Sequence, residues 1–366
     1  MRPTAPTPRP APRAPTRPWA CTGTVARTAR TGATAWAVLA CITLSACSSL
    51  APPDGQPAAA AAAKPASSSA VPPLKVGIAL GGGAAKGFAH IGVIKMLEAN
   101  GLAPAVVAGT SAGSIVGALY ASGMTAFELQ EKAVALDETR IRDLQLSSNG
   151  LLVGQKLEDY VNEQVRQQPL ERLAKPFVAV ATRLEDGERT FFARGNTGQA
   201  VRASSSVPGV FQPTTIGRSR FVDGGVVSPV PVDAARELGA DIVIAVDISN
   251  KARGPAPGGM LGTIGQSITI MGQRLGQAEL ARADVVVRPQ VLDIAGTDFS
   301  QRANAILEGE RAALAAMPQI RERVAQWQAA REQARLKAIE AQRLACLAQR
   351  SGLQKLAGWD KGCPAP

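Results

Sequence analysis

Histidine is nearly absent from this 366-residue sequence, and cysteines and aromatic residues are scarce. The five cysteines include no CxxC pair, and a single histidine leaves little basis for a site in which Cys and His side chains bind a metal. Aromatic residues make up 4% of the chain, so small aliphatic residues must fill the core, which suits close-packed layers of helices and strands. We therefore expect an α/β protein that needs neither a metal nor a cofactor.

Acidic residues are also missing before Asp54, whereas six arginines lie in that stretch. Without these six, 34 basic and 29 acidic residues remain, and the net charge falls from +11 to +5. The rest of the sequence contains no motif for DNA or RNA recognition. We therefore expect no nucleic-acid partner. We attribute the basicity to an export signal and to a mildly cationic surface that suits anionic lipid headgroups.

The N-terminal region resembles a bacterial lipoprotein signal. The apolar run over residues 33–46 is too short to span a bilayer of ~30 Å hydrocarbon thickness, but it fits the core of a signal peptide. It ends in Leu44-Ser45-Ala46-Cys47, which is similar to the lipobox, a signal whose cysteine receives a diacylglycerol and becomes the mature N-terminus. This predicts a signal peptide over 1–46, lipidation of Cys47 and a flexible tether over 47–73. An ordinary secretory signal is the alternative.

Export would also determine where the protein is located and whether its last two cysteines are oxidised. Ser48, rather than an aspartate, follows Cys47, and by resemblance to bacterial sorting rules this favours the outer membrane. In an oxidising compartment Cys346 and Cys363 could pair across a C-terminal loop, although two free thiols are the alternative.

Strands and helices are predicted to alternate after the tether. Leu74–Leu80 is an apolar strand candidate, and apolar residues over 84–99 follow with helical spacing. Such alternation predicts a mostly parallel sheet with helices on both faces. We expect one domain over 74–290 and a helical extension over 291–366 with a long helix over 301–349. Further strands are expected over 105–108, 177–183, 189–193, 219–222, 242–248 and 284–288, and further helices over 112–121 and 232–238.

A candidate nucleophile lies in the sequence Gly109-Thr110-Ser111-Ala112-Gly113. This pentapeptide follows an apolar strand and opens a helix, which is the setting of a nucleophile elbow. Gly109 and Gly113 avoid side-chain clashes in the sharp turn, and the helix N-terminus stabilises negative charge there. A serine that only caps the helix is the alternative.

The base that would activate Ser111 is an aspartate. The only histidine, His90, precedes the serine and lies inside the first helix, whereas α/β hydrolases place the histidine of the triad last. Asp223 is the best candidate because it ends a strand and precedes Gly224 and Gly225, which permit a close backbone approach. A carboxylate in a partly desolvated cleft can serve as a base. Three other aspartates compete for this role: Asp233, Asp241 and Asp247.

A glycine-rich loop over residues 81–87 follows the first strand and offers backbone N–H groups for an oxyanion hole. The same pattern could hold a phosphate. A dinucleotide fold needs an acid ~20 positions further on, where this chain has Ser111, and a P-loop needs Ser or Thr after its lysine, where Lys86 is followed by Gly87. These departures argue against nucleotide binding.

These blocks, in this order, resemble the patatin-like phospholipase family. The stretch over 202–213 and the run over 80–97 also match family blocks, so the resemblance covers about residues 74–238. It implies a three-layer α/β fold and a Ser-Asp dyad in which Ser111 is the nucleophile and Asp223 the base. It also implies an oxyanion hole at Gly82, Gly83 and Ala84, helped by the charge of Lys86. One departure is Ala84, where many members carry glycine.

The resemblance implies a serine lipid-acyl hydrolase, either a phospholipase A-type enzyme or a carboxylesterase. Its substrate would be a phospholipid or another acyl ester, and lipidated Cys47 would hold it at a membrane. The alternative is an envelope lipoprotein that keeps the fold as a lipid-binding or scaffold module without catalysis.

Overall fold

The computed structural model describes residues 73–141, 143, 152–252 and 258–349. The predicted signal peptide, Cys47 and all but the last residue of the predicted tether lie outside these ranges, as does Cys363. Cys346 is disulfide-bonded. Its pairing with Cys363 stays a prediction, as do the signal and the lipid anchor.

One mixed sheet organises the described chain, and its strand order is β5-β6-β3-β2-β1-β7-β8, with β4 paired to β3. The strands β1, β2, β3, β7 and β8 run parallel, whereas β4, β5 and β6 form the antiparallel side. The bounds are β1 Val76–Leu80, β2 Val106–Thr110, β3 Phe177–Arg183, β4 Arg189–Phe192, β5 Thr214–Ile216, β6 Ser219–Asp223, β7 Ile242–Val246 and β8 Val285–Val287.

Helices cover both faces of this sheet, as the sequence predicts for a three-layer α/β fold. Along β1, Ile78 and Leu80 belong to one hydrophobic core and Ala79 to the other, because successive strand residues point to opposite faces. The strands β1, β2 and β7 are buried along their whole length and are therefore continuously apolar rather than alternating. The helices are α1 Phe88–Ala99, α2 Ala112–Ala121, α3 Ala126–Val134, α4 Gln155–Gln164, α5 Thr197–Ser204, α6 Val232–Glu237, α7 Gly259–Leu280 and α8 Arg302–Ala348.

Most predicted elements are present within a few residues of their expected bounds, including the long C-terminal helix α8. The predicted helix over 84–99 divides into a 3-10 turn over 84–87 and α1. The 22-residue helix α7 was not predicted. In the described ranges, no helix combines the length and the apolar character needed to cross a bilayer.

The strand order gathers the candidate residues at one edge. From β1 the chain moves to β2 and β3 on one side, whereas β7 and β8 lie on the other side. The carboxyl ends of these parallel strands form a single edge, and open α/β sheets bind ligands in the crevice where the order reverses. The glycine loop, Ser111 and the segment after β7 all leave the sheet at this edge.

Two glycines set the distance between α1 and the start of α8. A Cβ atom on Gly92 would lie 2.0 Å from the carbonyl oxygen of Ile306, and one on Gly309 would lie 2.0 Å from that of Ala89. The two helix backbones are therefore in direct contact, and neither position has room for a methyl group.

We predict that Gly309→Ala destabilises the fold by ~2 kcal/mol, because overpacking outweighs the helix propensity that alanine adds. Gly265→Ala in α7 is the matched control, because a Cβ atom there meets nothing within 4 Å. We expect the control to be neutral or stabilising by up to ~1 kcal/mol. Urea denaturation measures both, and equal effects would contradict the close contact.

Candidate active site

Ser111 lies at a strained turn between β2 and α2. Its φ of 54° and ψ of −126° place it in a region that residues with side chains rarely adopt. A Cβ atom on Gly109 would lie 2.4 Å from the carbonyl oxygen of Gly113, and one on Gly113 would lie 2.1 Å from that of Leu80. Both glycines are therefore required, and the backbone has the form of a nucleophile elbow.

The predicted family block over 202–213 holds the backbones of both candidate catalytic residues. The Ser111 N–H donates to Ser204 Oγ at 3.0 Å, and Ser204 Oγ donates to the carbonyl of Val180 at 2.6 Å. The Asp223 N–H donates to the carbonyl oxygen of Ser206 at 2.9 Å. The sequence identified the block but gave Ser204 no role.

Asp223 ends β6 and is buried beside Ser111. Its Oδ1 accepts from the Gly225 N–H at 2.7 Å, whereas its Oδ2 has no hydrogen-bond partner among the described residues. Burial raises the pKa of Asp223 to about 6, and donors at the Ser111 hydroxyl and the Gly225 N–H oppose the rise. Gly224 is required because a Cβ atom there would lie 2.1 Å from the carbonyl oxygen of Val180.

The three competing aspartates are held by other groups. Asp233 accepts from Arg189 and Arg282, Asp241 accepts from the N–H of Lys75, and Asp247 accepts from Ser249 and Lys251. Ser111 affects the pKa of Asp223, whereas the pKa values of Asp233 and Asp247 are shifted by other groups. The structure therefore places Asp223, and not the other three, next to the candidate nucleophile.

His90 is buried under the glycine loop. Its Nε2 lies 2.8 Å from the carbonyl oxygen of Gly81, and burial lowers the pKa of the ring to about 4. The neutral ring donates to that carbonyl through Nε2–H, since Nδ1 has no partner among the described residues. The same residues include no cluster of three His, Cys, Asp or Glu side chains that could hold a metal.

The glycine loop presents fewer free amides than the sequence predicts. The Gly82 N–H donates to the carbonyl of Pro229 at 3.0 Å, so it holds the loop and is not available to an oxyanion. The N–H groups of Gly83 and Ala84 have no acceptor among the described residues, and neither does that of Ala112, which follows Ser111. These three amides replace the predicted set. An amide directly after the nucleophile is the usual second donor at such an elbow.

The backbone conformation at Ala84 explains why many members of the similar family carry glycine at this position. Its φ is 52°, in the left-handed region where an L side chain is disfavoured. The methyl group is exposed, so the cost is backbone strain rather than a clash. Alanine therefore adopts a conformation that glycine would adopt without strain.

Lys86 is buried and donates to the side-chain oxygen of Asn250, which lies beyond the end of β7. Burial lowers the pKa of Lys86, Lys251 lowers it further, and Asp247 opposes both effects. This hydrogen bond ties the glycine loop to the segment after β7. Its predicted contribution to oxyanion stabilisation stays a prediction.

Glu279 on α7 is a buried acid that the sequence did not single out. It accepts from the Ser228 hydroxyl and from the Val230 N–H, the latter at 2.8 Å. The carbonyls of the same segment accept from the Thr110 hydroxyl at 2.8 Å and from the Gly82 N–H. Glu279 thereby positions a segment that holds both the serine turn and the glycine loop.

A serine on a strand–turn–helix elbow beside a buried acid is the arrangement of an α/β hydrolase-like site. Residues 78–236 match the family model described as patatin-like phospholipase, and this segment contains the glycine loop, the elbow and Asp223. This part of the chain is therefore similar to patatin-like phospholipases.

Curated relatives match about half of the chain. An uncharacterised NTE family protein of Mycobacterium bovis is 37% identical over 185 residues, which are 50% of this chain and 51% of the relative. A lysophospholipase of Aspergillus fumigatus is 30% identical over 181 residues, 48% of this chain and 12% of that protein. The chain thus spans about half or less of the length of these relatives. The crystal structure of VipD from Legionella pneumophila aligns at 15% identity with a TM-score of 0.44, covering 66% of each chain.

We predict that Glu279→Gln removes a pH-dependent loss of stability. Burial raises the pKa of Glu279 from 4.5 to about 7, so the folded state binds more protons than the unfolded state between these values. Stability due to this group therefore falls as pH rises through that window, by up to ~3 kcal/mol. Urea denaturation of both proteins between pH 4.5 and 8 should show the wild type losing stability relative to the glutamine variant. Asp223 titrates in both proteins and cancels in the difference. Parallel curves would contradict the buried state of Glu279.

Proposed function

We propose that this chain is a serine lipid-acyl hydrolase, a phospholipase A-type enzyme or carboxylesterase, in which Ser111 is the nucleophile and Asp223 the base. The observation that carries the proposal is the pairing of a serine in a strained turn with a buried carboxylate whose Oδ2 has no hydrogen-bond partner among the described residues. Strain at Ser111 and an unpaired acid both cost stability, and such costs are typical of functional sites. The match of residues 78–236 to the patatin-like phospholipase family model supports a lipid ester as substrate.

In the proposed reaction, Asp223 accepts the Ser111 proton while Ser111 Oγ attacks the ester carbonyl. The carbonyl oxygen becomes an oxyanion, which the free amides of Gly83, Ala84 and Ala112 can stabilise. The tetrahedral intermediate collapses, the ester C–O bond breaks, and protonated Asp223 returns the proton to the leaving alcohol. Water then repeats the sequence: it gives a proton to Asp223, attacks the acyl-enzyme and releases the fatty acid and free Ser111.

The electrostatics of Asp223 suit this cycle. A pKa of about 6 leaves the carboxyl ionised at neutral pH yet basic enough to take a proton in the transition state. A fully solvated aspartate, with a pKa near 4, would be a weaker base. Burial thus supplies the basicity that a histidine supplies in other serine hydrolases.

We predict that Ser111→Ala and Asp223→Asn each lower kcat/KM for phospholipids and short acyl esters by at least ~10⁴-fold, because each removes a group that forms or breaks a bond. Wild-type kcat/KM should rise about tenfold per pH unit up to pH 6 and then level off, because the base must be ionised. Asp241→Asn is the control, because Asp241 lies away from Ser111 and should leave the rate unchanged.

Two results would overturn the assignment. If the wild type hydrolyses esters no faster than its inactive Ser111→Ala form, the chain is better described as a lipid-binding module. If Asp223→Asn keeps its activity, another group is the base.

We also propose that Cys47 carries a diacylglycerol and anchors the chain in the outer membrane. The lipobox-like Leu44-Ser45-Ala46-Cys47, the short apolar run before it and Ser48 after it support this proposal.

We predict that, in a bacterial host that processes lipoproteins, the mature chain begins at Cys47 with the added mass of its lipid and fractionates with the outer membrane. Intact mass and membrane fractionation measure both properties. Cys47→Ala should abolish the added mass, whereas Cys41→Ala, in the same signal, should not. A wild-type chain without lipid would contradict the proposal.

A further inference from the structure

Helix α7 is longer than the sheet it packs on. Its 22 residues extend ~33 Å, whereas the five residues of the neighbouring β7 extend ~17 Å. The helix returns the chain from β7 to the parallel β8, so its first residues lie toward the edge of the sheet that carries Ser111. Its last residues, Glu279 and Leu280, are buried.

Close packing of α7 ends near Gly272. A Cβ atom on Gly276 would lie 3.5 Å from Pro229, and one on Gly272 would lie 3.9 Å from the carbonyl oxygen of Gly225, next to Asp223. A Cβ atom on Gly265 would meet nothing within 4 Å. The first half of α7 therefore projects past the sheet edge beside the candidate active site.

This projecting half carries an exposed apolar stripe, which we call the α7 stripe and define as Ile264, Ile268, Met271 and Leu275. The spacing i, i+4, i+7, i+11 places all four on one helix face. Their exposed fractions range from 39% for Leu275 to 57% for Met271, although each would be stabilised by leaving water. Val226, in the turn after Asp223, is also exposed.

The polar groups in the projecting half of α7 need few hydrogen bonds from water. Residues 259–273 include no charged side chain. The hydroxyls of Thr263, Ser267 and Thr269 donate to the helix carbonyls four residues earlier, at 2.9, 2.8 and 3.0 Å. Hydroxyls satisfied within the helix can enter an apolar medium at lower cost than free ones.

Cationic side chains lie on α7 and on the same edge of the sheet. Arg274 is the first charged residue of α7, and the one acid of the helix, Glu279, is buried. Arg288 and Lys251 lie just after the carboxyl ends of β8 and β7, on the same edge, and share the buried Asp247. An apolar helix face bordered by cations matches a bilayer that contains anionic headgroups.

We propose that the α7 stripe docks this chain on an anionic lipid bilayer and brings the crevice at Ser111 against the lipid surface. This inference rests on the proposed function, because docking in this orientation would bring the site to its substrate only if the substrate is a lipid. A second copy of the chain could also cover an apolar stripe, and the test includes that outcome.

The test measures binding of the full chain to vesicles of phosphatidylglycerol and phosphatidylcholine in equal parts, by flotation. All proteins carry Cys47→Ala, which removes any acyl anchor, and Ser111→Ala, which prevents hydrolysis of the vesicles. Ile268→Asp with Met271→Asp changes the stripe. Leu336→Asp with Leu344→Asp is the matched control, because both leucines are exposed on α8.

We expect the stripe variant to partition at least ~100-fold more weakly than the parent, since two apolar side chains leave the interface and two like charges enter it. The control should bind as the parent does. Equal binding by both variants, or no binding by the parent, would overturn the proposal. The proposal would also be overturned if the parent and the control sediment as dimers and the stripe variant sediments as a monomer.

A second measurement separates this proposal from the proposed function. With Ser111 restored, the stripe variant should hydrolyse a soluble short-chain ester like the parent and lose activity on vesicles. If neither substrate is hydrolysed while vesicle binding still depends on the stripe, docking stands and the hydrolase assignment fails.

Discussion

The glycine loop and the turn at Ser111 approach each other so closely that no side chain fits between them. The candidate site depends on this contact. A Cβ atom on Gly82 would lie 3.2 Å from that of Ser111, and one on Gly87 would lie 2.7 Å from that of Ala112. Because the glycine loop and the elbow are locked together, the strained conformation of Ser111 persists. The free amides of the loop are thereby fixed relative to the serine before any substrate arrives, which is the condition for electrostatic stabilisation without reorganisation.

Buried hydrogen bonds hold this contact from three directions. Ser204 binds the N–H of Ser111, the Thr182 hydroxyl donates to the carbonyl of Asp223 at 2.9 Å, and Glu279 fixes the segment that receives Thr110 and Gly82. These partners are far apart in the sequence, and each satisfies a polar group that would otherwise be costly to bury. Asp223 Oδ2, in contrast, has no partner among the described residues. It is the atom that would accept the proton in the proposed reaction.

Local patterns were enough to predict the sheet, its buried strands and the positions of Ser111 and Asp223. Each lies in a short segment whose glycines are required by backbone contacts within the turn or with its neighbour. The hydrogen bond from the Gly82 N–H could not be foreseen, because its acceptor, the carbonyl of Pro229, is distant in sequence. Helix α7 was missed because five glycines over 259–276 give it a low helix propensity. The sequence around Glu279 is typical of an exposed acid. Its burial depends on contacts with residues that are distant in sequence.

The raised pKa of Asp223 couples the proposed catalyst to its own product. In the proposed reaction each turnover would release a fatty acid, which would ionise, add negative charge to the lipid surface and liberate a proton. A surface potential of ~−30 mV concentrates protons by about half a pH unit. A base with a pKa of about 6 lies within reach of that change, whereas an ordinary aspartate would not respond. Hydrolysis would thus slow as the surface becomes more anionic, which gives the site a form of feedback that needs no separate regulatory domain.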